Sequence, residues 1–324
     1  MKSKLNLLAA LAAASMLLLA GGQAAAAPAA SLNLANYKVG ANHAIDALGG
    51  LGLEASAVTY ARDRGSLFVV GDEGLGVVEL SLSGKTLSTM RFSGWPEASK
   101  NHDAEGLAYL GNGQLVVVEE RLQDAYRFGY TAGGSVNLAN APSVSFGGNA
   151  GNLGTEGIAY DPRNGGSFVT VKQDNPQALL AGGLSFAAGG GISSMLPLFD
   201  ADAKLGLASL SDVATLAGVD ALAGGAAADH LLVLSLDSRR LVEIDRRGNT
   251  LSSFDLSGVT NQAIEGVTID EKGVIYLVAE DSGTPNSRLI VLNPTAPVPE
   301  PASVALMLAG LGLLGWRARR SARR

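Results

Sequence analysis

Three glutamates occupy one place in a recurring five-residue motif: Glu105-Gly106-Leu107-Ala108-Tyr109, Glu156-Gly157-Ile158-Ala159-Tyr160 and Glu265-Gly266-Val267-Thr268-Ile269. Two further segments, Ser56-Ala57-Val58-Thr59-Tyr60 and Ser211-Asp212-Val213-Ala214-Thr215, align with them without gaps and carry serine at the glutamate place. A second set of acids follows the next apolar run of each copy: Asp72 and Glu73, Glu119 and Glu120, Asp174, Asp237, and Glu280 and Asp281. Carboxylates gathered in one place repel unless a cation or raised pKa values compensate them. Hard oxygen donors with no cysteine or histidine among them select Ca²⁺ or Mg²⁺ over zinc. The candidate ligand set is Glu105, Glu156, Glu265, Glu120 and Asp281, with Ca²⁺ as the expected ion and Mg²⁺ as the second candidate. Any one of these acids alone reads as a solvated strand-end residue; their repetition is what suggests a site.

The elements that must position them follow from the repeat. Its starts are separated by 49, 51, 55 and 54 residues, which implies one supersecondary unit copied five times. After each motif come a turn and a second apolar run: Leu67 to Val70, Leu115 to Val118, Phe168 to Val171, Leu231 to Leu234 and Ile275 to Val278. Gly111-Asn112-Gly113 and Asp270-Glu271-Lys272-Gly273 are hairpin turns by their tolerance of positive φ. Third strands are expected at Gly76 to Leu80, Ala125 to Phe128 and Leu241 to Ile244, and fourth strands at Thr86 to Phe92 and Thr250 to Leu256. Four antiparallel strands per repeat make a propeller blade.

The last repeat runs out after three strands, while a strand-like piece, Leu32 to Val39, precedes the first. The expected fold is therefore an all-β propeller of five four-stranded blades over residues 31–296, its last blade closed by the N-terminal strand. Six blades are the alternative, if the Gly- and Ala-rich residues 177–208 hide another unit. Ala217 to Ala228 reads as a long hairpin loop, since Gly218, Gly224 and Gly225 interrupt it. In a blade the start of the innermost strand and the end of the next are neighbours, so the acids converge on one mouth of the central channel.

Both termini are read as address signals. Met1-Lys2-Ser3-Lys4, the apolar run Leu5 to Ala20 and the small residues that follow form a signal peptide over residues 1–27. At the other end Val298-Pro299-Glu300-Pro301 precedes an apolar segment, Ala302 to Trp316, and five arginines. That segment is short against the ~20 residues of a comfortable bilayer span, as suits a helix inserted transiently and then cut; a permanent anchor is the alternative. This end resembles the PEP-CTERM sorting signal over residues 297–324, which implies an exosortase-type processing enzyme as partner. The resemblance further implies export across the inner membrane to the periplasm, cell surface or extracellular matrix, with exopolysaccharide or other surface components as candidate partners.

Without Lys2, Lys4, Glu300 and the tail arginines the formal charge moves from −6 to −12. That acidity argues against nucleic acid or anionic lipid as a partner and suits divalent cations. The absence of cysteine excludes disulfides, thiolate metal sites and a cysteine nucleophile. No G-x-S-x-G elbow, H-E-x-x-H or P-loop occurs. Of the three histidines, His43, His102 and His230, none pairs with a serine or carboxylate at a telling spacing; His102 lies closest to the acidic motif. Asp200-Ala201-Asp202-Ala203-Lys204 begins like a calcium loop but puts lysine at a ligand place.

The stretch Asp103 to Tyr109, the hairpin Gly111 to Arg121, Thr155 to Tyr160 and Ala263 to Ile269 resemble the SdiA-regulated family, distant relatives of NHL-repeat propellers, over residues 54 to 293. The resemblance implies a five-bladed propeller with bound calcium and no known reaction. The fourth repeat departs from it, with Ser211-Asp212 in place of Glu-Gly. The Glu-Gly-hydrophobic-Ala-Tyr opening is shared with propellers of the phytase esterase-like type. The reading is thus a non-catalytic, calcium-binding surface or matrix module. The alternative is a metal-dependent hydrolase of a phosphoester, ester or lactone, with Glu120 or His102 as base.

Overall fold

A computed structural model describes residues 29–281 and 283–295. The signal-peptide and sorting-tail assignments lie outside these residues. Among the described residues no helix is long and apolar enough to cross a membrane.

The second strand of each repeat is buried along almost its whole length, as in Ser66–Gly71 and Leu231–Ser235. Both faces of such a strand are covered, which is why it reads as a continuous apolar run without alternation. Each of these runs is the second strand of a four-stranded antiparallel blade, and five blades form the ring. Blade 1 comprises Ala55–Ala61, Ser66–Gly71, Gly76–Leu80 and Thr86–Gly94, and blade 2 comprises Ala104–Gly111, Gln114–Glu119, Asp124–Gly129 and Ser143–Ser145. Blade 3 uses Thr155–Asp161, Ser167–Lys172, Ala178–Gly182 and Leu196–Asp200, and blade 4 uses Asp212–Thr215, Leu231–Ser235, Arg240–Ile244 and Thr250–Asp255. Blade 5 contains Ile264–Ile269, Ile275–Ala279 and Arg288–Pro294, completed by Tyr37–Ala44 from the N-terminus. The buried apolar side chains fall into five clusters, one between each pair of neighbouring blades. Phe68 and Val70 feed the cluster shared with blade 2, and Leu67 and Val69 the one shared with blade 5.

Five blades with an N-terminal closing strand is the expected architecture. Residues 177–208 hold no sixth blade: they supply the outer strands of blade 3, a small hairpin of Leu184–Ser185 and Ile192–Ser193, and a single helical turn, Ala201–Leu205. Asp200 caps that turn, its Oδ1 accepting from the Ala203 amide at 3.1 Å. The stretch 217–228 is a loop with two 3₁₀ turns that buries Val219, Leu222, Ala227 and Ala228. Ser135–Asn137, a short segment with no apolar alternation, leaves blade 2 to pair in parallel with the outer strand of blade 1.

The closing strand is displaced toward the C-terminus relative to Leu32–Val39. Leu32 and Leu34 instead plug the core between blades 4 and 5. The reason is Glu243, whose carboxylate accepts from the amides of Leu32 (3.1 Å) and Asn33 (3.2 Å) and the hydroxyl of Ser31 (2.5 Å). The backbone there is satisfied by a side chain, and ladder pairing starts at Tyr37. His230 also binds this carboxylate, at 2.9 Å through Nδ1, a pairing of neighbouring strands that linear spacing did not reveal.

The glycine of the motif answers a close approach between inner strands. A Cβ on Gly157 would lie 2.3 Å from Asp212 Oδ1 and 2.7 Å from Asp212 Cα, and one on Gly266 would lie 2.9 Å from the backbone of blade 1. In blade 4 the glycine place holds Asp212, whose carboxylate accepts from the amides of Val213 (2.8 Å) and Val267 (2.7 Å) and so staples blades 4 and 5. Gly157→Ala is expected to force these strands apart and cost about 1–3 kcal/mol in urea unfolding. Gly148→Ala, where a Cβ meets nothing within 4 Å, should stay within about 0.5 kcal/mol.

Candidate metal centre

Each motif glutamate sits on a β-bulge. Ala104 pairs with Glu119 and Gly106 with Val118, so Glu105 is the extra residue; Glu156 and Glu265 are the extra residues of blades 3 and 5, and Ser56 of blade 1. A bulge re-aims a side chain out of the strand's alternation. Here it puts the glutamates, all half-buried, at the axis, where Glu156 and Glu265 both feel the charge of Glu105. Blade 4 pairs from Asp212 to Thr215 without a bulge and contributes no carboxylate to this group.

The backbone brings a second tier to the same mouth. The amide following the second strand bonds the carbonyl two residues before the motif: Asp72 to Glu54 (3.2 Å), Glu120 to Asp103 (3.0 Å) and Glu280 to Ala263 (2.9 Å). Three pairs of carboxyl groups face one another as a result, Asp72 with Glu54, Glu156 with Glu120 and Glu265 with Glu280, and each pairing raises the pKa of the first-named group. Glu120 also accepts from the Gly154 amide at 3.0 Å. Arg121 lies 2.5 Å from Asp103 and is the cation the described residues place against this group.

Electrostatics follow from that crowding. Burial, then the charges of neighbouring acids, pushes Glu105, Glu156 and Glu265 well above the usual carboxylate range. Burial first, and then the Glu54 carboxyl, raises Asp72 to about 7. Glu120 is also raised to about 7, chiefly by burial, which its Gly154 bond only partly opposes.

The structure thus gathers Glu105, Glu156, Glu265 and Glu120. At the fifth position it is Glu280 whose carboxylate meets Glu265, while Asp281 offers its carbonyl oxygen to Gln262 Nε2 at 3.1 Å. Asp72 and Asp103 complete a tighter cluster with Glu105, one carboxylate oxygen from each lying within 4.8 Å of the others. Reading the repeat two residues upstream, where Glu54 and Asp103 stand at equivalent places, would have found the latter. Glu119 turns away to Ser99 and the Leu122 amide, and His102, exposed, stacks on Trp95.

These residues fit a hard divalent cation. All donors are oxygens, the carboxylates outnumber the nearby cation, and Asp72 Oδ1 is buried with no hydrogen-bond partner. A buried acceptor left unpaired is costly, and an ion or a proton would relieve it.

Fold and site together define a five-bladed β-propeller with an acidic axial mouth. The chain belongs to the SdiA-regulated family, whose profile matches residues 29–286. Residues 297–324 match the PEP-CTERM protein-sorting motif, so the protein is exported and is a substrate of an exosortase-type processing enzyme. Among solved structures it is similar to the glutaminyl cyclase of Myxococcus xanthus, at 14% identity over 79% of this chain and 95% of that one, with a TM-score of 0.49. It is also similar to a luciferin-regenerating enzyme, at 12% identity over 78% and 95% of the two chains and a TM-score of 0.44.

Proposed function

We propose that this is a cell-surface or matrix propeller whose acidic mouth binds Ca²⁺, and that the ion serves structure and partner binding more than chemistry. The observation that carries the proposal is the convergence of three bulge-borne glutamates from three blades beside the unpaired Asp72 Oδ1. Glu105, Glu156 and Glu265 would hold the ion at the axis, with Asp72 and Asp103 on the blade 1–2 side. The ion would supply charge neutralisation and would stiffen the inner strands of blades 1, 2, 3 and 5 against one another. The histidines support a non-catalytic role, since His230 is bound to Glu243 inside the protein and His102 is stacked on Trp95.

Calorimetric titration of the purified, chelated protein tests this. One Ca²⁺ should bind at pH 7.5, and Glu105→Gln should weaken it at least tenfold, since Glu105 belongs both to the axial glutamates and to the cluster with Asp72 and Asp103. Unchanged affinity in Glu105→Gln, Glu156→Gln and Glu265→Gln would refute the axial site.

A second reading, metal-dependent hydrolysis, is favoured by Glu120: a carboxyl poised at about 7 matches what a general base needs near neutral pH. It predicts Ca²⁺-dependent turnover of p-nitrophenyl phosphate, p-nitrophenyl acetate or a γ-lactone that Glu120→Gln abolishes while Ca²⁺ affinity is largely kept.

A further inference from the structure

The channel does not run through the disc. Two residues beyond each motif start, the five blades contribute Val58, Leu107, Ile158, Val213 and Val267, each no more than 2% exposed. This aliphatic ring seals the acidic mouth from the opposite face. Beyond it the inner strands diverge into a funnel of about 710 Å³, of which the ring is the floor. That volume is in the range of sites for drug-sized molecules.

The wall and rim of the funnel have a definite chemistry. The wall carries half-buried Tyr60, Tyr109 and Tyr160, one from each of blades 1, 2 and 3. Wall hydroxyls are tied to the protein's own backbone: Thr59 Oγ1 accepts from the Tyr109 amide and Thr268 Oγ1 from the Tyr60 amide, both at 3.1 Å, while Thr215 donates to the Tyr160 carbonyl at 3.2 Å. The interior offers chiefly apolar and aromatic surface. Charge sits on the rim, in the first hairpin turns. Glu271 accepts from the Tyr60 hydroxyl at 2.6 Å, and Asp63 accepts from the Asn112 amide at 3.0 Å. Of the rim cations, Arg62 is already neutralised, by two bonds to Asp220 at 2.9 and 3.1 Å, and Lys272 stands exposed beside Glu271. With Arg62 paired to Asp220, Asp63 and Glu271 outnumber Lys272 and leave the rim net acidic over aromatic walls and an aliphatic floor, which attracts an organic cation and repels an anion.

We infer that this second mouth is a binding site for small organic monocations, an amine or quaternary ammonium on an apolar body, with the body against the aliphatic floor and the ammonium among the tyrosines, Asp63 and Glu271. The site is separate from the acidic mouth and does not depend on the metal proposal. The full chain should be titrated calorimetrically with benzyltrimethylammonium and with phenylacetate, an anion of similar size, with and without saturating Ca²⁺. The cation should bind at least tenfold more tightly than the anion in the Ca²⁺-loaded protein. The double variant Asp63→Asn, Glu271→Gln, both at solvent-reached turns, should lose most of that preference while melting normally. Ala217→Trp, on the loop beside the funnel, should block the probe without touching the ring. Equal affinity for the two probes, no binding of the cation at millimolar concentration, or a preference untouched by the double variant would overturn the inference. Cation binding abolished by Ca²⁺ or by Glu105→Gln would place the probe at the acidic mouth and overturn it equally.

Discussion

Chelated protein is expected to melt at a higher temperature at pH 5 than at pH 7.5, and Ca²⁺ is expected to reverse that order. Glu105, Glu156 and Glu265 titrate well above the usual range in the folded chain, and Asp72 and Glu120 near 7. In the unfolded chain all five return to about 4. From about pH 4 to beyond 7 the native state then holds more protons than the unfolded state, so stability falls as pH rises. Carboxyls of the opposite kind do not obscure this. Burial works against Glu79, Glu243 and Asp161 too, but bonds from Arg64, from Ser31, His230 and Ser252, and from Arg163 outweigh it and hold them below the usual range. Their contribution is complete above about pH 4 and is lost only as the pH falls further.

Calcium competes with the protons that the acidic mouth retains, so its affinity should increase with pH. At a free concentration a hundred times the dissociation constant it adds about 2.7 kcal/mol, a rise of roughly 5–10 °C for a chain of this size. Scanning calorimetry at the two pH values, in EDTA and in Ca²⁺, reads all four cases. A melting temperature independent of pH in EDTA, or a calcium increment equal at both pH values, would remove the acidic mouth as the source of either effect.

Glu243→Ala should be the most damaging single change at the ring closure. The carboxylate is fully buried, and it holds His230, Ser252 and the segment Ser31–Asn33 at once. Removing it leaves several buried donors without an acceptor, a loss of about 3–5 kcal/mol. Because Leu32 and Leu34 lie just before the closing strand, the damage should spread to the pairing of Tyr37–Ala44 with Arg288–Pro294. Hydrogen exchange should show that strand losing protection before the inner strands. Arg62→Ala, which breaks an exposed ion pair with Asp220, serves as the contrast at about 0–1 kcal/mol. Closely similar losses for the two variants would mean that Glu243 does not anchor the ring.

Much of the architecture was legible because propeller blades are local objects. Most strands of a blade pair with a neighbour in sequence, so apolar runs and turn residues are enough to mark them. Thr86–Gly94 and Gly76–Leu80 were readable for this reason. Elements held by distant partners were legible only in part: the existence of an N-terminal closing strand was, its bounds were not. Ser135–Asn137 pairs back to the preceding blade, and the closing strand begins where a glutamate more than two hundred residues away stops engaging the backbone.

The amino-acid sequence by itself determined the five-fold repeat, the sorting motif at the C-terminus and the recurrence of glutamate at one place in three repeats. These are properties of order and spacing, which folding does not alter. The tertiary structure decided which carboxylates face one another. Glu280 rather than Asp281 meets Glu265, and Asp72 and Asp103 join Glu105, because bulges and loop hydrogen bonds re-aim side chains at strand ends, where a two-residue alternation no longer predicts direction. The funnel also exists only in the ring, since its aliphatic floor is assembled from one residue of each blade.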